Sequence, residues 1–513
     1  MKLNNCQLKI SPFVVFLFLI PMMILAFLVV INGEENFTFQ SEPEVRIGVV
    51  QRTIDTNVEF NSAYKALTFE GKILWLGKPD TLRILRQEDN TLSSPPQYRI
   101  EIGKYKSYER ANSVSEKIKP LGYPVKPAHP ENWMVWVGPF STMSQAAAAW
   151  GELQSMGIRN AMIIKLAMPI LRVVVLGSGG ELKYSGAEGV VFTADSGVIK
   201  YGSGTYHGGL EARPDAYGSL TLINLVKVED YLRGVVSGEM PASSPIEALK
   251  AQTIIARTYL MKNLNRHRVD SFNLCAAPDC QVYRGIGGET DQTDAAVKAT
   301  RGLALMYNNA PANPLFHSTC GGKTAAYNDV WPGSNVPYLT AVNDGAPVDH
   351  DDLSAEADFQ KFLASKSANC SRSKYFRWEV KKTKTELDSI LAKTLPDYTG
   401  NPTLKPGALR TMRILRRNPS GRVGEIEIIT EHGDYRFSGD EIRWVLGGLR
   451  STMFTVSGGQ DTNSEMVYTF YGAGWGHGVG LCQMGAIALA KDGMAYKQIL
   501  THYYPGTKIY TAW

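Results

Sequence analysis

Charge of one sign is what this sequence most lacks: 54 Lys and Arg offset 49 Asp and Glu, leaving a formal +5 over 513 residues. No basic cluster interleaved with aromatics stands out either, so nucleic acid is not an expected partner. Charged residues make up only 20% and hydrophobic ones 44%, which excludes a disordered chain and predicts real cores. Cysteine is scarce. Of the six, Cys6 lies ahead of a long apolar run; the other five (Cys275, Cys280, Cys320, Cys370 and Cys482) are odd in number and cannot all pair within the chain.

The apolar run is itself defined by an absence. From Ile10 to Ile31 no residue carries a charge, and the stretch is long enough to cross a hydrocarbon core of about 30 Å as a helix. Lys2 and Lys9 precede it while Glu34 and Glu35 follow, which directs the bulk of the chain out of the cytoplasm. A cleaved signal peptide is the rival reading. The run exceeds a usual signal h-region and lacks a clean Ala-x-Ala exit, so an uncleaved anchor over residues 1–32, with membrane contact through this helix, is preferred. Either way the protein is exported, the expected location is the cell envelope, and Cys6 would be a cytoplasmic thiol.

The length predicts two or three domains. After a polar linker, Gly33–Ser41, an early β segment spans 43–92, with strands at Val45–Val50 and Ile73–Leu76. A Ser93–Pro96 loop signal then leads into a compact stretch over 97–167 that reads as one pattern twice. Strand Tyr98–Ile102, Gly103 and helix Glu109–Lys119 are followed by strand Trp133–Val137, Gly138-Pro139-Phe140 and helix Ser144–Met156. Two such βαβ-like halves make a small α+β, βαββαβ-type domain. From Leu171 to Leu225 short apolar runs alternate with Gly, Asp and Ser, which predicts strands.

Next comes the best helix signal: Ser244 as N-cap, Pro245 first in the helix and Glu247 third, with Leu249, Thr253, Ala256 and Leu260 at helical spacing. Glu239 would then sit on the loop entering this helix. Later, Glu386–Lys393 reads as helix, Thr411–Leu415 and Glu425–Thr430 as a hairpin, and Tyr471–Ala486 is dense in glycine.

At Gly234–Leu260, GVVSGEMPASSPIEALKAQTIIARTYL, the sequence closely resembles the SpoIID/LytB family of sporulation and cell-wall proteins. Further family blocks follow in order: CQVYRGIGGE (Cys280–Glu289), FHSTCGG (Phe316–Gly322), VWPGSNVPYLTAV (Val330–Val342) and GWGHGVGLCQMGA (Gly474–Ala486). They cover 171–513, with 43–92 a candidate early part of the same β-rich domain. The 97–167 stretch resembles a SPOR domain through its aromatic-flanked glycines, IEIGKY and VWVGPF. The overall expectation is an α+β chain: a β-rich SpoIID-type domain with helices, a SPOR-like domain and an N-terminal transmembrane helix.

The resemblance implies a lytic transglycosylase cutting MurNAc–GlcNAc bonds of peptide-free peptidoglycan strands, with the SPOR-like domain binding such glycan. It implies Glu239 of GEMP as the catalytic acid. Most glycosidases need two carboxylates; here one suffices, because the muramyl C6 hydroxyl attacks in place of water. The acid's pKa must then be raised, with Met240 and Pro241 as desolvating neighbours. Runner-up readings are a non-catalytic activator of an N-acetylmuramoyl-L-alanine amidase and a glycan tether.

Lys250, Gln252, Arg257 and Tyr259 are candidates to bind sugar, Arg257 by a bidentate fork; the bland alternative is that they cap, solvate and pack their helix. Gln281, Tyr283, Ser318 and Gln483 are candidate groove residues. His317 and His477 border the expected cleft, yet with Ser318 they make no triad, since HSTCGG is not a nucleophile elbow and no orienting third group is evident. No cofactor is expected. Cys275 and Cys280 read as a local disulfide, with a structural zinc as the alternative, since some relatives carry a His/Cys site near here and His267 is the closest histidine. Cys320 and Cys482 are expected to lie close enough to bridge. Tyr105, Trp133, Trp136 and Phe140 are candidate stacking aromatics, some of which strand alternation must bury.

Overall fold

The computed structural model describes residues 39–93, 97–158, 160–166, 169–185, 189–345, 352–401, 403–460, 462 and 464–513. The anchor run Ile10–Ile31, Cys6, most of the polar linker and the Pro95-Pro96 pair lie outside these residues. Among the described residues no helix is long and apolar enough to cross a membrane.

Two sheets form a sandwich. One runs Leu274–Cys275, Glu44–Thr53, Leu220–Lys227, Gly209–Pro214, Val190–Ala194, Tyr64–Leu67, Ile73–Gly77; the other runs Gly180–Tyr184, Pro169–Gly177, Asp80–Ser93, Asp55–Phe60, Val198–Tyr201, Gly204–His207. Strands of 44–93 therefore interleave with strands of 169–227 in both sheets. Val58, Phe60, Ile84 and Val173 from one sheet meet Phe192, Leu210 and Leu222 from the other in a shared core. The first sheet is apolar on both sides: Ile47, Ile223 and Val226 face away from the sandwich and pack on helices.

The repeated pattern is an insertion between two strands of this sandwich that are hydrogen-bonded neighbours, Asp80–Ser93 and Pro169–Gly177. Its four antiparallel strands take the order Val125–Ala128, Trp133–Phe140, Gln97–Tyr105, Ala161–Leu166, and the helices Tyr108–Ile118 and Met143–Ser155 cover one face. Ser107 and Thr142 cap those helices through their side chains. The two aromatic-flanked glycines have one cause. Gly103 and Gly138 both have positive φ, and a Cβ on either would strike the ring two residues on, Tyr105 at 2.4 Å and Phe140 at 2.9 Å.

The helical layer holds Val228–Glu239, Ile246–Lys262, Asp291–Ala299, Gln483–Lys491 and Tyr496–Tyr503 around one core. Ile246–Lys262 is buried on nearly every side, so its apolar stripe does not mark a single inner face. Its start also differs from expectation. Pro245, not Ser244, is the N-cap and gives no side-chain bond; Glu247 instead accepts from Lys250 and from the backbone N–H of Tyr496. A tertiary partner replaces the capping box.

The stretch read as one unit from 171 to 513 contains a second lobe. Arg377–Thr383, Phe454–Gln460 and Met466–Ala473 form one sheet; Leu409–Arg417, Val423–Thr430 and Asp434–Ser438 form another; the helix Lys384–Thr399 packs with them. Leu387, Leu391, Ile426, Ile428 and Phe470 give this lobe its own core.

Candidate active site

Glu239 is the last residue of the helix Val228–Glu239 rather than part of the following loop. Helical bonding stops where Pro241 forbids it, with the Met240 N–H still reaching the Val236 carbonyl at 2.9 Å. The acid therefore sits on a rigid element. Its side chain is half-buried, and the Val282 N–H donates to Oε1 at 2.6 Å. Among the described residues no donor reaches Oε2. Burial pushes the carboxyl from an ordinary 4.5 up to about 7, outweighing the Val282 bond and the positive charge of Arg284, both of which favour the ionised form. Met240 is buried beside it, whereas Pro241 is exposed and contributes no such desolvation.

Two glycines bring Val282 there. Gly234 and Gly238 are four apart and share one helix face. A Cβ on Gly238 would lie 2.4 Å from the Val282 carbonyl oxygen, and one on Gly234 would lie 2.7 Å from the Tyr283 ring. The CQVY segment lies directly on the helix because this face has no side chains. This role of Gly234, Gly238 and the Val282 backbone was missed from sequence; the i, i+4 glycine spacing just ahead of the acid was the available signal.

The glycine-dense C-terminal block reaches the same place. Phe316–His317 pairs in parallel with Leu481–Cys482, and the helix Gln483–Lys491 starts there. Gln483 Nε2 donates to the Glu239 carbonyl at 2.9 Å and lies 3.5 Å from Gln252 Oε1. Gln252 is fully buried, with its amide nitrogen unpartnered. GEMP, CQVY and GLCQMG thus meet at Glu239, with HSTCGG packed against GLCQMG.

Several sugar-binding candidates are committed to the protein interior instead. Arg257 is fully buried and gripped by Glu229 at 3.0 and 2.6 Å, with a third bond to the Leu303 carbonyl. Gln281 takes the Tyr231 hydroxyl and donates to the Ala256 carbonyl. Tyr283 donates to Asn224 at 2.9 Å, and Tyr259 is core. Bidentate reach and amide donors are the same features whether the partner is sugar or protein, so residue type alone misleads here. Lys250 remains half-exposed, bonded to Glu247. His317 and His477 lie 5.6 Å apart, ring to ring. Burial holds both neutral, His477 down to about 4. His477 bonds the Phe316 carbonyl and the Val479 N–H; among the described residues the Ser318 hydroxyl meets only the Thr319 hydroxyl, at 3.4 Å, so no triad forms.

The expected disulfides are not formed: all five described cysteines are free and buried. Cys275 and Cys280 join His267 and Asp279, their potential ligand atoms all within 4.8 Å of one another. His267 Nδ1 is held by Asp270 at 2.8 Å, leaving Nε2 3.2 Å from the Cys280 sulfur. Two sulfurs, an imidazole and a carboxylate, with the imidazole oriented from behind, suit zinc. Cys320 and Cys482 do lie together, the Cys320 N–H donating to the Cys482 sulfur at 3.2 Å.

In the inserted domain Trp133 and Phe140 are core, and Trp133 also donates to Asp279 at 2.8 Å. Trp136 is stacked under the Arg99 guanidinium, 3.4 Å from its ring centre, and meets Tyr217 edge-on. Tyr105 lines a cavity of about 540 Å³ with Arg110, Asn160, Trp331, Tyr398 and Trp444. None of the groups around Glu239 lines that cavity.

Residues 216–307 match the family model described as Stage II sporulation protein, residues 94–165 the SPOR domain model, and residues 325–480 a domain of unknown function, DUF8618. An Amidase enhancer of Bacillus subtilis is 31% identical over 300 residues, covering 54% of this chain and 40% of that protein. An uncharacterised protein of Brachyspira hyodysenteriae is 30% identical over 328 residues, 63% of this chain and 76% of the relative. Stage II sporulation protein D of Bacillus subtilis is 29% identical over 299 residues, 55% and 74% respectively. The chain spans well under half of the Amidase enhancer's length. With the family block centred on the helix that carries Glu239, and the SPOR match falling on the inserted βαββαβ unit, the chain belongs to the SpoIID family and carries a SPOR domain N-terminal to its SpoIID block.

Proposed function

We propose that this protein is a peptidoglycan lytic transglycosylase that cleaves MurNAc–GlcNAc bonds of peptide-free strands and leaves 1,6-anhydro-MurNAc ends. The observation that carries this reading is one carboxyl raised to about 7, anchored through Oε1 and open at Oε2. Protonated Oε2 gives its proton to the glycosidic oxygen as the bond breaks. The resulting carboxylate then accepts the proton of the C6 hydroxyl as that oxygen closes on the anomeric carbon. One group near neutrality serves both halves of the cycle. The SPOR domain would hold stripped glycan, and an N-terminal anchor would keep the enzyme at the membrane. A structural zinc, if bound by His267, Cys275, Asp279 and Cys280, would tie the loop before CQVY to the turn that follows the helix Ile246–Lys262; no step of the reaction passes through it.

Glu239→Gln is expected to lower formation of anhydro-muramyl ends from stripped strands by about 10²–10⁴-fold, the usual worth of a general acid. Mass spectrometry distinguishes these ends from hydrolysis products, which are heavier by one water. Undiminished cleavage by the variant would reject the assignment. Similarity to an Amidase enhancer supports a second reading, in which the chain stimulates a cell-wall amidase. There Glu239→Gln would leave amidase stimulation intact, and the unmodified protein would release no anhydro ends by itself.

A further inference from the structure

Behind the acid, three cysteines and an aspartate arrive from four separate stretches of chain. Cys320 follows the strand Phe316–His317, Asp344 lies in the loop beyond Val342, Cys370 belongs to the turn Asn369–Arg372, and Cys482 caps the helix Gln483–Lys491. Their sulfur and carboxylate atoms all fall within 4.8 Å of one another, and all four side chains are fully buried. The Cys320 sulfur is 3.0 Å from Asp344 Oδ2 and 3.5 Å from the Cys370 sulfur.

The surroundings are built for negative charge on these atoms. Asp344 Oδ1 accepts from the Tyr503 hydroxyl at 2.7 Å and from Asn369 at 3.0 Å, which aims Oδ2 at the sulfurs. Backbone N–H groups of Cys320 and Gly485 donate to the Cys482 sulfur, and that of Gly322 donates to the Cys320 sulfur. Neutral thiols are weak acceptors, so three directed N–H groups favour thiolates. A fully buried guanidinium, Arg422, and a half-buried one, Arg377, stand nearby, neither with a carboxylate bond among the described residues. Arg422 reaches only the carbonyls of Lys323 and Cys320, and Arg377 only those of Leu363, Gly321, Phe376 and Phe362. Buried cations of this kind need an anionic neighbour.

We propose that Cys320, Asp344, Cys370 and Cys482 form a closed, tetrahedral structural site for zinc, separate from the His267 cluster. Three thiolates and a carboxylate carry four negative charges; a divalent ion with Arg377 and Arg422 supplies four positive ones. Thiolate donors exclude calcium and magnesium, and four protein ligands leave no open position for catalysis. The ion fastens the HSTCGG strand, the Asp344 loop and the turn Asn369–Arg372, which precedes the second lobe, to Cys482. Gln483, the next residue, donates to the Glu239 carbonyl, so the site positions the back of the acid. The rival is a Cys320–Cys370 disulfide, which would strand Cys482 and leave Asp344 Oδ2 without a metal, with His502 Nε2 3.6 Å from Oδ1.

The full-length chain, purified without chelator, is analysed by metal-resolved mass spectrometry beside Cys370→Ser, Asp344→Asn and Cys275→Ser. The proposal expects Cys370→Ser and Asp344→Asn each to lose about one zinc equivalent, and Cys275→Ser to retain it. Cobalt alone, added after zinc removal, should give thiolate charge-transfer absorption that persists in Cys275→Ser and is lost when Cys370→Ser is added to that variant. Should the variants fail to fold, peptide mapping of the unmodified protein still decides. Free thiols at Cys320, Cys370 and Cys482 in zinc-loaded protein uphold the site; a Cys320–Cys370 disulfide, or zinc at the parent level in Cys370→Ser and Asp344→Asn, overturns it.

Discussion

Glu239 keeps its proton where an exposed glutamate would lose it, and that preference has a cost in folding. The unfolded carboxyl ionises near its ordinary 4.5, the folded one at about 7. Between those values the native state binds more protons than the unfolded state, so stability falls as pH rises from about 4.5 to 7 and is level beyond. Glu239→Gln removes the titration. The variant should match the parent below pH 4.5 and exceed it by roughly 2 kcal/mol above pH 7, after discounting for partial exposure. Urea denaturation across this range measures the difference; equal pH profiles would mean the carboxyl is not desolvated. Cleavage should move oppositely to ionisation, declining as pH rises through about 7. The candidacy of this carboxyl was legible from GEMP. Its partners were not, because the group that meets Oε1 is a backbone N–H, which every residue but proline carries. Arg257 shows the converse: its residue type suggested a ligand, while Glu229, distant in sequence, makes it structural.

The helix Val228–Glu239 acts as a platform whose glycine face sets the distance to CQVY. Gly238→Ala places a methyl 2.4 Å from the Val282 carbonyl, so the two segments must separate or the helix must shift. Overpacking of this kind costs about 1–3 kcal/mol. Moving Val282 also takes the N–H from Oε1, releasing the acid from its orientation. Gly238→Ala should therefore lower cleavage at least tenfold while thermal unfolding shifts modestly, whereas alanine at the exposed Gly287, where a Cβ meets nothing within 4 Å, should change neither. Equal activity of Gly238→Ala and the parent would show that the close approach is dispensable. Local elements were legible wherever a cap or a period announced them, as in the two halves of the inserted domain. They failed where a distant segment supplied the bond: Glu247 reads as a capping-box member, but Tyr496 claims its carboxylate.

Long-range pairing is what the sequence concealed most. The 43–92 run is a candidate early part of the β-rich domain, but nothing local states which of its strands pair with those of 169–227 to make one sandwich. The consequence is that the SPOR domain enters and leaves through adjacent strands and is clamped to the SpoIID core beyond that hinge. Arg266, almost wholly buried, bridges them: it bonds Glu109 of the SPOR domain at 3.0 Å and the Asp279 carbonyl at 3.1 Å, beneath the Tyr108 ring. Trp133 reaches across to Asp279 as well, and Arg110 pairs with Glu441 of the second lobe at 2.9 Å. Glu109→Ala would leave the Arg266 guanidinium buried with a single carboxylate 4.0 Å away, a loss of about 3 kcal/mol for a broken buried pair. Because that energy is held between domains rather than inside either, the variant should uncouple them. Denaturation expected as one transition in the parent should divide into two, and limited proteolysis should release a SPOR fragment first. A single transition, merely shifted, would mean that the paired strands at the hinge hold the domains together without the clamp.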